Sequence, residues 1–229
     1  DVSSAMQEGR IQAGLSKDRE YRLIHVPNGL FPSQIASLPI KKRDRNALIY
    51  MGILEPDMGP TLAIKSFVEV KKHYPKVKLH IIGGPKSQQQ NMEKIARALK
   101  IDDAVILYGF VPDNDRMAEI VRGCYIGLAP YRAFLHSKRW YGDAGKIRQY
   151  MAAGLPVVTT HVPPLGRYIV TQGAGIMVKD TPADFANGII KLLSDDKLYA
   201  RLSLRASQLS KENTWENSYS QALKAMGLM

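Results

Sequence analysis

Among 229 residues there is one cysteine, Cys124, so no internal disulfide can form and a disulfide-stapled secreted scaffold is excluded. Cys124 lies in Val121-Arg122-Gly123-Cys124-Tyr125, at an expected helix-to-strand junction, and reads as a packed thiol in a reducing compartment. No apolar run approaches the roughly 18 residues that a membrane helix needs. Asp1-Val2-Ser3-Ser4 lacks the basic and apolar regions of a signal peptide, so the expectation is a soluble, cytoplasmic chain. Paired metal-ligand spacing is missing as well. His73, His80, His136 and His161 are scattered, and no metal is expected. Ile82-Gly83-Gly84-Pro85 lacks the spacing of the dinucleotide fingerprint and ends in proline, which weakens an NAD-dependent reading.

Acidic residues are the minority, 21 against 32 basic ones, for a net charge of +11. Lys41, Lys42, Arg43 and Arg45 precede a strand, Lys71, Lys72, Lys76 and Lys78 bracket another, and Arg132, Lys138 and Arg139 share a long loop. That spread, without interleaved aromatics, argues against a specific nucleic-acid partner. Anionic lipid headgroups and a nucleotide diphosphate are better candidates, and solvated surface charge accounts for most of these residues taken singly.

Strands and helices alternate along the chain. β-rich apolar runs predict strands at 48–51, 77–82, 105–108, 125–129, 157–160 and 175–178, with a further one at 22–26. Amphipathic periodicity predicts helices at 61–73, 89–99 and 115–122, the last capped by Asp113. Two more follow at 182–193 and 197–209. Near the N-terminus a short helix runs through Met6 and Ile11, and a final helix opened by Thr214-Trp215-Glu216 reaches about Met226, with Trp215 as an apolar anchor. Continuous apolar strands separated by helices predict an α/β fold with a doubly wound parallel sheet, whose ligands bind at the carboxyl ends of the strands.

Those ends direct attention to the loops at 52–59, 83–85, 109–112 and 130–145. The last is long for a strand-to-helix connection and carries Tyr131, His136, Trp140 and Tyr141. It runs into Gly142-Asp143-Ala144-Gly145-Lys146-Ile147-Arg148-Gln149-Tyr150-Met151-Ala152-Ala153-Gly154-Leu155-Pro156-Val157-Val158, which reads as loop, helix and strand. Asp143 is suited to be the N-cap, Gly142 and Gly145 allow close backbone approach, and Lys146 adds a cation beside the free amides. Ile147, Tyr150 and Met151 share the inward face, and Gly154 with Pro156 ends the helix. A helix start of this kind suits an anionic diphosphate, and an ordinary capped helix would show the same local pattern.

The order of motifs is similar to that of a known family. Val26-Pro27-Asn28-Gly29, Tyr50-Met51-Gly52 before Gly59-Pro60, His80-Ile81-Ile82-Gly83-Gly84, Leu107-Tyr108-Gly109-Phe110-Val111 and the run from Gln149 to Val158 together resemble the C-terminal, donor-binding half of retaining GT-B glycosyltransferases of group 1. The resemblance covers nearly the whole chain. It implies a Rossmann-like domain that binds a nucleotide diphosphate sugar as substrate, with no separate cofactor. Its transfer would retain anomeric configuration, and the acceptor would be a glycan or a lipid-linked molecule. Peripheral membrane contact at the inner face would follow from such an acceptor.

Residue by residue, the resemblance implies that Gly52, Asp143, Ala144, Gly145 and Lys146 hold the diphosphate, and that Phe110, Val111 and Gln149 hold base and ribose. The catalytic residue would lie in an N-terminal half largely absent from this sequence. Residues 1–37 would be a remnant of that half with its linker, 38–210 the donor domain, and 211–229 a helix packing toward the missing half. Departures are equally specific. Gln149 and Tyr141 stand where the family has carboxylates, and Ile53 and Met58 stand where many relatives have cations that neutralise the leaving diphosphate. Lys146 with the loop cations Arg132, Lys138 and Arg139 must then supply that charge, or the chain is a catalytically silent homologue that binds a nucleotide or a partner subunit.

Overall fold

A computed structural model of the chain describes residues 3–14 and 24–229. Six strands form its centre: Ala47–Met51 (β1), Lys78–Ile82 (β2), Val105–Gly109 (β3), Ile126–Ala129 (β4), Val157–Thr160 (β5) and Gly175–Val178 (β6). Around them lie Ser4–Gln12 (α1), Pro60–His73 (α2), Lys86–Ala98 (α3), Asn114–Gly123 (α4), Gly145–Ala152 (α5), Pro164–Thr171 (α6), Pro182–Ser194 (α7), Asp196–Glu212 (α8) and Trp215–Met226 (α9). The strands are all parallel, in the order β3-β2-β1-β4-β5-β6. The chain therefore builds outward from β1 to β3, then crosses back to start the other half at β4. Between β1 and β4 the direction of winding reverses, and the crevice there is where doubly wound folds receive ligands.

Alternation along β1 assigns its side chains to two cores. Leu48 and Tyr50 join Phe67, Leu79, Ile81, Phe185 and Ile189 on one face. Ala47, Ile49 and Met51 join Ile147, Tyr150, Met151, Leu165 and Ile169 on the other. Because both faces are covered, β1, β4 and β5 are buried at every position, which is why they read as unbroken apolar runs. Cys124 packs inside the second core, and burial pushes its thiol up to about 12. Among the described residues no helix is long and apolar enough to cross a membrane.

Several expectations need correction. Helix α6 was not expected, because Pro163-Pro164 and Gly166 look like loop punctuation. Pro163 instead stands at its N-cap and Pro164 at its first turn. Gly166 lets the helix lie close on β5, since a Cβ there would come within 2.9 Å of Thr159. Of the expected strand at 22–26, residues 22 and 23 lie outside the described residues and 24–26 are not in a strand. Arg43 is not a surface charge. It is buried and donates to the carbonyls of Leu38 and Gly154 and to Tyr199 and Ser203.

The segment ahead of β1 meets the α8–α9 junction. The Leu30 amide donates to the Asn213 carbonyl (2.9 Å) and the Leu30 carbonyl accepts from the Trp215 amide (3.2 Å). Thr214 caps α9 through the Asn217 amide. The Trp215 ring lies between Phe31, at 6.4 Å, and Tyr219, at 5.5 Å.

Candidate functional site

The β1–β4 crevice is held open by a side chain. The two strands pair at Leu48 with Ile126 and at Ile49 with Gly127. Beyond that point the Tyr150 hydroxyl enters between them, accepting from the Met51 amide (2.9 Å) and donating to the Leu128 carbonyl (3.2 Å). Gly127 makes room for it, since a Cβ there would meet the Tyr150 ring at 2.5 Å. Tyr150 thus completes backbone hydrogen bonds that the splayed strands cannot make with each other.

Lys146 sits one turn before Tyr150 on the same face of α5, so the helix aims it into the same crevice. It is 5% exposed. Its Nζ lies 3.9 Å from the centre of the Tyr50 ring and 4.9 Å from that of Tyr131, and among the described residues no hydrogen-bond acceptor meets it. Gly52 covers the amine at the end of β1. With φ of +122° and Lys146 Cε only 3.4 Å from where its Cβ would be, this position combines a backbone region open to glycine with close contact. Burial drives the Lys146 pKa well below its usual value. The nearby Arg139 lowers it further, and Asp57 opposes the shift. Such an amine, over two aromatic rings and without an acceptor among the described residues, is an incomplete ion pair.

The other sequence-selected residues divide around this point. Gly145 is exposed and Ala144 buried at the start of α5, where first-turn amides have no intrahelical acceptor. Asp143 is not the N-cap. Ala144 occupies that position without a side-chain cap, and the Asp143 carboxylate is 3.0 Å from Arg148, both side chains being buried. That pair forms one wall of a cavity of ≈ 380 Å³, also lined by Tyr168, Asn213 and Asn217. Gln149 is half-buried on α5. Phe110 is 75% exposed and Val111 half-buried, just past the end of β3. β3 is two strands from β1, which puts Phe110 and Val111 roughly 10 Å along the sheet edge from the crevice.

Two loops close beside Lys146. The loop after β1 contributes Asp57, whose carboxylate accepts from Ser137 Oγ (3.0 Å) and from Arg139 Nε (3.2 Å). Its backbone carbonyl accepts from the Arg132 amide (3.0 Å). Farther along, Arg132 pairs with Asp180 at 2.6 Å and the Trp140 indole donates to the Phe134 carbonyl. His161 is exposed, with its ring 5.2 Å from Trp140. Sequence reasoning singled out Tyr131 only as part of the long loop after β4, did not select Tyr50 or Asp57 for the site, and took Tyr150 for apolar packing. The available signal was spacing: Lys146 and Tyr150 fall four apart at the start of a helix, so a polar tip on one shares the other's crevice.

The family model described as glycosyl transferases group 1 matches residues 34–209. The chain belongs to that family. Over 190 residues it is 30% identical to a D-inositol 3-phosphate glycosyltransferase of Acidothermus cellulolyticus, covering 79% of this chain and 40% of that relative. A second D-inositol 3-phosphate glycosyltransferase, from Stackebrandtia nassauensis, is 24% identical, with 99% of this chain and 53% of the relative covered. The chain thus spans about half the length of the curated relatives it matches. Its fold is that of solved GT-B glycosyltransferases. Anabaena Alr3699/HepE in complex with UDP aligns with a TM-score of 0.80 at 17% identity, over 100% of this chain and 63% of that one. A point mutant of S. aureus TarM, in a complex containing UDP, aligns with a TM-score of 0.77 at 17% identity, over 97% of this chain and 42% of that one.

Within this group 1 glycosyl transferase chain, Ile53 and Met58 behave differently. Met58 is buried in the second core, as a packing residue would be. Ile53 is 49% exposed, and its carbonyl accepts from the Tyr50 hydroxyl (2.6 Å). The loop after β1 therefore brings no basic side chain to the crevice, and its own charges, Glu55 and Asp57, are acidic.

Proposed function

We propose that this chain is the donor-binding part of a glycosyltransferase that moves a sugar from a nucleotide diphosphate sugar to an acceptor with retention. The observation that carries the reading is the Lys146 amine, without an acceptor among the described residues, in the β1–β4 crevice beneath Gly52 and beside the first-turn amides of α5. A diphosphate there would complete the ion pair and accept from Gly145 and Lys146 amides, and Ala144 and Asp143 would shape the approach through their backbone. The base would lie against exposed Phe110 and Val111, and Gln149 would meet the ribose through its amide. Two strand spacings, roughly 10 Å, separate the crevice from the end of β3, which leaves room for a nucleoside between them. Preorganised donors aimed at the leaving diphosphate are the chemistry this half would contribute, and a fixed cation there can account for several kcal/mol of barrier lowering.

The acceptor, a glycan or lipid-linked molecule, and contact with the cytoplasmic membrane face are supported by the family resemblance and by the basic surface. The exposed stripe of Tyr219, Leu223 and Met226 on α9 supports the reading of 211–229 as a helix that packs toward an acceptor-binding half, to which residues 1–37 would lead. A second reading, a catalytically silent nucleotide-binding homologue, is favoured by Gln149 and by the absence of basic residues on the loop after β1. Calorimetric titration with UDP, GDP and ADP tests donor binding: one of them should bind with micromolar to low millimolar affinity, and no heat from any would sink it. Transfer by the full-length protein from a matching radiolabelled donor separates the two readings.

A further inference from the structure

We infer that Arg139 is the second cation of the diphosphate site, held in reserve by Asp57 until a diphosphate takes its place. This rests on the donor-site reading above, and adds to it the residue that replaces the missing charge and the group that competes for it. One buried amine is a small counter-charge for a diphosphate, and the loop after β1 adds none. The cations on the opposing loop are Arg132, Lys138 and Arg139. Arg132 is committed to Asp180 at 2.6 Å, and Lys138 is exposed. Arg139 is the one whose side chain meets the loop after β1, 3.2 Å from the Asp57 carboxylate and 4.0 Å from that of Glu55, and the same loop reaches Lys146 through Gly52.

Around Asp57 the chain has built an anion site and filled it with its own carboxylate. Asp57 accepts from the Ser137 hydroxyl and from Arg139 while Lys146 stands nearby, the same combination of hydroxyl, guanidinium and amine that suits a phosphate. The two loops are fixed against each other by the Arg132 amide on the Asp57 carbonyl and by Gly59, where a Cβ would strike the Pro130 carbonyl oxygen at 1.6 Å. Exchange therefore needs only a rotation of the Arg139 side chain, which is 31% exposed. A diphosphate carries more charge than a carboxylate and can take two parallel guanidinium hydrogen bonds, so it outcompetes Asp57 for Arg139.

The test is calorimetric titration of the 229-residue chain with inorganic pyrophosphate and UDP at fixed ionic strength, with thermal melts to confirm folding. Arg139→Gln should weaken both ligands at least tenfold, and Asp57→Asn should tighten both severalfold, since it removes the nearer of the two carboxylates on Arg139, the other being Glu55 at 4.0 Å, and with it a charge of the ligand's own sign. Lys197→Gln, which removes one exposed positive charge from the first turn of α8, should change them less than twofold. If Arg139→Gln binds as the wild type does, or Asp57→Asn weakens binding, the inference is overturned. Loss of affinity in Lys146→Met with no change in Arg139→Gln would overturn it while leaving the donor-site reading intact. Absence of wild-type binding to pyrophosphate, UDP, GDP and ADP would overturn both.

Discussion

Lys146 Nζ lies 3.9 Å from the centre of the Tyr50 ring, in a crevice where no described residue offers it a hydrogen-bond acceptor. A buried polar group without a partner costs the folded state about 1–3 kcal/mol. Lys146→Met keeps the length of the side chain and removes that cost. It should raise the midpoint of thermal unfolding without ligand by about 2–4 °C, the shift expected for roughly 1 kcal/mol in a chain of this size. A lower midpoint would mean that the amine is satisfied by its two aromatic rings. Gain of stability with loss of binding is the pattern expected of a residue kept for a ligand.

The same amine gives the protein a pH dependence of definite sign. Its folded pKa lies well below the usual lysine value, chiefly through burial, and the unfolded chain titrates near about 10.4. Between those two values the unfolded chain holds a proton that the folded chain does not, so stability rises with pH through that window. The wild type's deficit relative to Lys146→Met should therefore shrink on going from pH 7 to about pH 9.5, as measured by urea unfolding of both proteins. A constant deficit would show that the amine titrates normally.

Tyr150 closes the gap between β1 and β4 through its hydroxyl. Tyr150→Phe keeps the ring against Gly127 and leaves the Met51 amide without an acceptor. We expect a loss of about 1–3 kcal/mol in urea unfolding. A change below a few tenths of a kcal/mol would mean that the strands re-pair without it.

Asp143 and Arg148 form a buried pair, with side chains 4% and 5% exposed. Asp143→Leu strands the guanidinium and should cost about 3–5 kcal/mol. The double variant Asp143→Leu with Arg148→Met should recover most of that loss, because an apolar pair of similar volume needs no compensation. Additive losses would place the cost elsewhere.

All six strands of the sheet were legible in the sequence: β1, β4 and β5 because they are buried on both faces, and β2, β3 and β6, which are partly exposed, from their β-branched and other apolar residues. Helix α6 was not, because its two prolines and glycine signal a turn unless one knows that the helix starts on proline and lies on a strand. The helix after Asp143 was legible, including its inward face, yet its cap was misread: a carboxylate before a helix satisfies amides only when no buried arginine one turn later claims it. Lys146 was found from a cation beside free amides. Its burial depends on Tyr50 and Tyr131, which are distant in sequence and meet it only through the parallel order of the sheet. Arg139 was named from the sequence as one of the loop cations, but Asp57 and its pairing with Arg139 stayed hidden for the same reason.

The central claim is that the Lys146 amine in the β1–β4 crevice receives a diphosphate. Titration of wild type and Lys146→Met with inorganic pyrophosphate, a probe with no base or ribose to bind elsewhere, tests it most directly. The account predicts measurable binding to the wild type and affinity at least tenfold weaker in the variant. Equal affinity in the two proteins would contradict it.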